Sequence, residues 1–199
     1  MATREPIVAP DQAVEWGLKQ TMATQAEVAE LAGMIRDVPD FPKRGVLFKD
    51  ITTLLKDPAA FRRSIDLLAE PFLHDHVDVV VGMESRGFIF AAPLAYKLGA
   101  GFVPVRKLGR LPADAVRVEY SLEYGSNILE MHKDAIKPGQ SVLVVDDLLA
   151  TGGTVLATID LVEQVGGKVD GIAFLVELLF LKGRERLHDY PKVVSIIRY

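Results

Sequence analysis

Short apolar runs alternate along the chain with longer segments of helical spacing. Four runs are rich in Val, Ile, Leu and Phe: 77–82 (VDVVVG), 101–105 (GFVPV), 141–145 (SVLVV) and 169–178 (VDGIAFLVEL). Runs of this length without polar alternation are those of strands buried on both faces. Between the first two, 87–99 (GFIFAAPLAYKLG) predicts a helix ended by Gly99, and between the last two, 154–167 (TVLATIDLVEQVGG) predicts one ended by Gly166 or Gly167. Upstream, 56–72 (KDPAAFRRSIDLLAEPF) puts Phe61, Ile65, Leu68 and Phe72 on one helical face, with Asp57 as cap and Pro58 in the first turn. A short helix is expected over 28–35, and the prolines of 39–45 (PDFPKRG) force an extended, turning segment after it. Strands alternating with helices predict an α/β domain whose parallel sheet is covered on both faces. Right-handed crossovers then gather the strand-to-helix loops at the carboxyl edge, where such folds bind ligands.

Two regions break the alternation. Residues 1–25 carry little periodicity and are expected to be an appendage. Residues 107–139 separate the second and third strands, and alternating stretches such as VRVEY (116–120) favour a β-ribbon or flap. A connection this long in a compact domain is usually functional.

Composition narrows the chemistry. The 199 residues, 49% hydrophobic and 25% charged, suit one globular domain with a full core. A net charge of -4 argues against general nucleic-acid affinity, so an anionic substrate must be met by a local cluster of Lys and Arg. There is no cysteine, which excludes disulfides, thiolate catalysis and Cys-based metal sites. The longest apolar stretch, 172–181, is interrupted by Glu177 and too short to cross a bilayer, and residues 1–16 lack the apolar core of a signal peptide. A cytoplasmic protein is the expectation.

Residues 142–154 (VLVVDDLLATGGT) join a buried strand, two adjacent acids and a glycine turn. Gly152 and Gly153 let the backbone come close to a ligand, Thr151 and Thr154 add hydroxyls, and the next helix offers its unpaired N–H groups. Taken alone, such a turn is as often a plain helix entry. It is not a Walker loop, because no Lys follows the second glycine. Asp146 and Asp147 should repel each other, so their presence beside a phosphate cradle calls for a ligand that also carries hydroxyls or a metal. A ribose phosphate answers that description. Arg86 falls between a strand and a helix at the same edge, where it can meet an anion. Arg106, Lys107 and Arg110 form the cationic cluster that the acidic chain otherwise lacks, although a basic run by itself is more often a solvated face. His74 and His76 lack further ligands and belong to a solvated loop.

The run 142–154 resembles the phosphoribosyl-pyrophosphate signature of the type I phosphoribosyltransferases. With 40–52 (DFPKRGVLFKDIT), 84–88 (ESRGF), 103–112 (VPVRKLGRLP) and 122–125 (LEYG), the chain is similar to the adenine-specific branch from about Ile35 to the C-terminus. The resemblance implies a type I phosphoribosyltransferase fold: a five-stranded, mainly parallel sheet with helices on both faces, in one domain over 26–199. A small N-terminal hood would span about 26–56 and a β-ribbon flap about 108–131. It also implies that adenine and phosphoribosyl pyrophosphate become AMP and pyrophosphate, with Mg²⁺ carried by the pyrophosphate substrate, in a homodimer without nucleic-acid or membrane partners.

Residue by residue, the resemblance assigns Asp146 and Asp147 to the ribose hydroxyls and Ala150, Thr151, Gly152, Gly153 and Thr154 to the 5′-phosphate. Glu84, Ser85 and Arg86, with a non-proline cis peptide at Glu84–Ser85, would meet pyrophosphate together with Arg106, Lys107 and Arg110. Arg110 stands where some relatives carry Lys, which keeps the charge and changes the geometry. Leu47, Phe48, Lys49 and Leu178 would surround adenine, with backbone groups reading the base; Phe48 and Leu178 fit core packing equally well. Glu123 would hold adenine N7 so that N9 attacks, and Tyr124 would close the flap and exclude water. A regulator of the same fold would carry a basic DNA-binding segment. Residues 1–33 instead hold Arg4 and Lys19 against Glu5, Asp11, Glu15, Glu27 and Glu30.

Overall fold

The computed structural model describes residues 24–121 and 126–199. Helix α1 (Gln25–Gly33) begins three residues before the predicted start, because Thr24 and Glu27 form a capping box that apolar spacing does not register. The Thr24 hydroxyl accepts the Glu27 N–H at 3.2 Å, and the Glu27 carboxylate accepts the Thr24 N–H at 2.9 Å. Strands β1 (Arg36–Pro39) and β2 (Leu47–Asp50) then pair antiparallel, with Arg36 opposite Asp50. A single turn, α2 (Thr52–Leu55), leads to α3 (Pro58–Ala69), whose cap is the predicted one. Asp57 accepts the N–H groups of Ala59 and Ala60 at 3.0 and 2.9 Å. Asp57→Ala is therefore expected to lower unfolding free energy by about 1 kcal/mol. Urea denaturation measures this, and an unchanged midpoint would refute the contribution of the cap.

The remaining elements are β3 (Val79–Met83), α4 (Gly87–Leu98), β4 (Gly101–Lys107), β5 (Ala115–Ser121), β6 (Ser126–His132), β7 (Ser141–Leu149), α5 (Gly153–Gln164), β8 (Lys168–Glu177) and β9 (Val193–Arg198). Gly99 ends α4 in the left-handed conformation, as its position predicts. Among the described residues seven strands form one sheet in the order β5-β6-β4-β3-β7-β8-β9. The five from β4 to β9 run parallel. Four of them are the apolar runs of the sequence. The fifth, β9, carries no such run; it is a half-buried edge strand interrupted by Ser195. The β5–β6 ribbon extends the sheet through antiparallel pairing of β6 with β4, Arg106 opposite Glu130 and Lys107 opposite Leu129.

Period-2 alternation in the central strands supplies two cores. Val80, Leu143, Val145, Ala173 and Leu175 face α3 and α4, where Phe72, Phe90 and Leu94 are buried with them. Val79, Val81, Val142, Val144, Ile172 and Phe174 face α5 and its Val155, Ile159 and Val162. Because the five strands share one direction, their carboxyl ends at Met83, Lys107, Leu149, Glu177 and Arg198 lie along one edge. That edge is where the charged and glycine-rich segments emerge.

Candidate active site

Strand β7 runs on through both acids to Leu149, and the chain then turns into α5. Gly152 is the residue before α5, with φ 84°, a left-handed conformation that a Cβ would disfavour. No side chain caps the helix, so the first-turn N–H groups remain for a ligand. Ala150, Thr151, Gly152, Gly153 and Thr154, with Asp146, line a concavity of about 60 Å³ there, enough for one small group.

The acids stand at its edge. Asp147 is 4% exposed and Asp146 half-buried. The Asp146 carboxylate accepts the Asp147 N–H at 2.9 Å, and Arg86 Nε lies 2.9 Å from Asp147 Oδ2. Burial, and then the neighbouring Asp147 charge, push the Asp146 carboxyl well above its ordinary pKa. Burial also raises Asp147, against the opposing pull of Arg86. A glycine makes this approach possible. A Cβ on Gly87 would sit 2.8 Å from Asp146 Oδ1 and 3.1 Å from the Val145 carbonyl, so only glycine lets the start of α4 seat against the end of β7.

At the end of β3 the Glu84–Ser85 peptide is cis. The Glu84 N–H is donated to the Val105 carbonyl at 2.9 Å, which ties the chain just after β3 to the end of β4. The Glu84 carboxylate accepts the Lys107 N–H at 3.1 Å and the Arg106 guanidinium at 3.2 and 3.4 Å. Burial disfavours its charge, but these bonds together outweigh burial and hold its pKa below the ordinary value. Arg106 also donates to the Arg110 carbonyl at 3.0 Å, so its guanidinium braces the connection after β4. The side chains of Lys107 and Arg110 are exposed. Nothing in the local pattern singles out Glu130, which is 2% exposed and accepts the N–H groups of Arg110 and Leu111 at 2.9 and 3.1 Å. It fixes the root of the β5–β6 ribbon.

The β1–β2 ribbon meets this edge through Phe48. The Arg86 guanidinium carbon lies 5.3 Å from the Phe48 ring centre, and Phe41 packs edge-on to the same ring at 5.1 Å. The Lys49 ammonium is committed elsewhere, 2.6 Å from Asp37 and 3.7 Å from the centre of the Tyr199 ring. In a two-stranded antiparallel ribbon every second residue turns its N–H and C=O outward. The ribbon formed by β1 and β2 thus keeps outward-facing backbone donors and acceptors along its two edges. Leu47 is exposed, and Leu178, just beyond β8, packs part-buried on the first core. Glu123 and Tyr124 lie outside the described residues. The β5–β6 ribbon reaches the glycine turn before α5 through Tyr120, whose hydroxyl is 3.5 Å from that of Thr154. Its placement follows from VRVEY, which puts Val116, Val118 and Tyr120 on one face.

Among the described residues no group of three or more His, Cys, Asp or Glu could hold a metal ion, and no helix is long and apolar enough to cross a membrane. His76 is exposed and pairs with Asp78 at 3.0 Å.

The family profile described as a phosphoribosyl transferase domain matches residues 50–198. A relative named adenine phosphoribosyltransferase from Acidobacterium capsulatum is 60% identical over 169 residues, 85% of this chain and 93% of its own length. The crystal structure of adenine phosphoribosyltransferase from Thermoanaerobacter pseudethanolicus is 55% identical and covers 86% of this chain and 99% of its own, with a TM-score of 0.84. The Saccharomyces cerevisiae enzyme of that name, complexed with an imino-altritol bisphosphate and adenine, is 41% identical over 87% of this chain and 100% of its own, with a TM-score of 0.82.

Proposed function

The chain belongs to the phosphoribosyltransferase family, and from that premise we propose that it transfers the phosphoribosyl group of phosphoribosyl pyrophosphate to N9 of adenine, giving AMP and pyrophosphate. This is a purine-salvage reaction. The observation that carries it is the placement of two adjacent acids directly before a glycine loop that opens α5, in a chain so similar to enzymes named for adenine.

The chemistry follows from the edge. The bond from C1′ to the pyrophosphate oxygen breaks with oxocarbenium character at C1′, and the bond to N9 forms. Asp146 and Asp147 accept hydrogen bonds from the ribose hydroxyls, and Ala150 to Thr154 present N–H groups and hydroxyls to the 5′-phosphate. Substrate hydroxyls also relieve the electrostatic conflict between the acids. Ser85, Arg86, Lys107 and Arg110 receive the leaving pyrophosphate, while Glu84 and Arg106 fix the geometry of that region. Arg86 is the pivot, since it touches both Asp147 and Phe48. Two acids without a third protein ligand suit Mg²⁺ that arrives on substrate phosphates rather than in a protein cage, and when bound it neutralises charge on the pyrophosphate. The β1–β2 ribbon acts as the hood that reads adenine through its backbone. The β5–β6 ribbon acts as the flap, with Glu123 at N7 and Tyr124 excluding water.

The same reading takes the enzyme to be a cytoplasmic homodimer. Tyr96 and Phe102, on α4 and β4, are 90% and 38% exposed and supply apolar surface for a second copy. Sedimentation equilibrium tests this, and a monomer at assay concentration would remove it. The reaction is tested by incubating the protein with phosphoribosyl pyrophosphate and each purine base. A site that hydrogen-bonds the exocyclic amine leaves its own groups unpaired against the wrong base, so adenine should be used at least roughly 10²-fold more efficiently than hypoxanthine. Comparable turnover of hypoxanthine would overturn the assignment.

A further inference from the structure

The phosphate loop has an unexplained backing. A glycine pair without a side-chain cap leaves residues 150–153 free to take many conformations, and phosphate binding would then have to order them. Something else must hold the loop. Behind it runs the connection from β8 to β9, which turns at Lys182 with φ 55° and continues as a short 3₁₀ segment, Gly183–Leu187. Gly183 lies so close that a Cβ there would collide with the Ala150 carbonyl oxygen and stand 3.0 Å from Leu149 Cδ1. A Cβ on Gly152 would in turn stand 3.1 Å from the Gly183 carbonyl. The two backbones meet face to face. Arg186 crosses the same contact and donates from Nη1 to the Thr151 carbonyl at 3.2 Å.

This segment is itself tied down. Arg184 donates from Nε to Glu177 Oε1 at 2.8 Å and from Nη2 to Glu177 Oε2 at 2.6 Å. The same guanidinium reaches the Val193 carbonyl at 2.9 Å and the Ser195 hydroxyl at 2.8 Å. Glu177 ends β8 with its side chain 3% exposed. A bidentate pair whose carboxylate is buried thus anchors the segment to two strands of the sheet.

We propose that residues 182–187 are a strut that sets the shape of the phosphate loop, with Gly183 and Arg186 as positioning residues for the 5′-phosphate. Gly183 supports the loop from behind at backbone distance. Arg186 occupies the Thr151 carbonyl and so holds that peptide in one orientation. Neither residue needs to touch the ligand. Their effect is preorganisation: the loop is already in its binding conformation when the phosphate arrives. The proposal rests on the reading of this loop as the 5′-phosphate site.

Calorimetric titration of full-length wild type, Gly183→Ala, Arg186→Met and Arg186→Lys with phosphoribosyl pyrophosphate, and separately with ribose 5-phosphate, tests it. Gly183→Ala should weaken both ligands by roughly 10- to 100-fold, as expected for a small displacement of a positioned site. Arg186→Met, on an exposed side chain that does not threaten folding, should weaken both by about 10-fold, with partial recovery in Arg186→Lys. The KM for adenine at saturating phosphoribosyl pyrophosphate and the thermal midpoint of the Arg186 variants should stay near wild type. An Arg186→Met protein that binds both ligands as wild type does would overturn the strut, as would an equal loss for adenine. Wild-type protein that binds neither ligand would instead overturn the phosphate-site reading, and the strut with it.

Discussion

Asp146→Asn is expected to give a protein more stable than its parent and far weaker in binding phosphoribosyl pyrophosphate. The stability gain comes from the environment of Asp146, whose carboxyl is pushed well above its ordinary pKa by burial and by the charge of Asp147. A raised folded pKa means that the folded state holds its proton more tightly than the unfolded chain does. Wild-type stability therefore falls as pH rises from the unfolded carboxylate value, roughly 4, towards the higher folded value. The Asn side chain has no proton to lose and escapes that fall, so its advantage should appear above roughly pH 4 and widen with pH. The binding loss comes from the same substitution. A hydrogen bond between a charged acceptor and a ribose hydroxyl is worth about 1.5–3 kcal/mol, which predicts a loss of about 10- to 100-fold in affinity. Asp147→Asn should show a similar binding loss with a smaller stability gain, because the pull of Arg86, 2.9 Å away, already offsets part of the burial that raises its carboxyl. Denaturation midpoints at pH 5 and pH 8, beside ligand titrations, measure both effects. Normal phosphoribosyl-pyrophosphate binding in both variants would show that these acids do not hold the ribose.

The coupling of instability to function at Asp146 explains why this part of the site is legible from sequence. Two acids after VLVV are locally unfavourable, and a ligand is the simplest compensation. Gly152, Gly99 and Asp57 are legible for a similar reason, since each answers a local backbone requirement at the end of one element. Other parts depend on partners far along the chain. Gly183 has no local signature; its need for hydrogen in place of a side chain comes from Ala150, and Gly87 owes the same need to Val145 and Asp146. Glu130 is one charge in an alternating strand until β6 pairs with β4 and buries it under the N–H groups of Arg110 and Leu111. Lys49 shows the limit from the other side. Its place near the site follows from its motif, but the commitment of its ammonium to Asp37 and Tyr199 follows only from the fold. Strand β9 lacks a continuous apolar run because a sheet edge needs less burial than its centre.

Glu123→Leu should separate chemistry from binding. In the proposed mechanism its carboxylate holds adenine N7, so that the ring proton sits there and N9 is free to attack C1′. A positioned acid-base group of this kind is typically worth roughly 10²- to 10⁴-fold, so kcat at saturating adenine should fall within that range. Affinity for phosphoribosyl pyrophosphate should barely move, because its ligands belong to other elements: the acids to β7, the phosphate loop to the entry of α5, and the cations to the ends of β3 and β4. The ribbon strands should not be disturbed either, since Ser121 and Ser126 pair on either side of residues 122–125 and Glu130 anchors the ribbon at its other end. Glu123→Gln keeps a hydrogen-bonding oxygen but cannot take the proton, so its kcat should lie between Leu and wild type. Steady-state kcat and a separate phosphoribosyl-pyrophosphate titration on both variants give the two numbers. An unchanged kcat in Glu123→Leu would leave base recognition and activation to the backbone of β2. A parallel loss of phosphoribosyl-pyrophosphate affinity would make Glu123 part of the ribose site and remove it from the base.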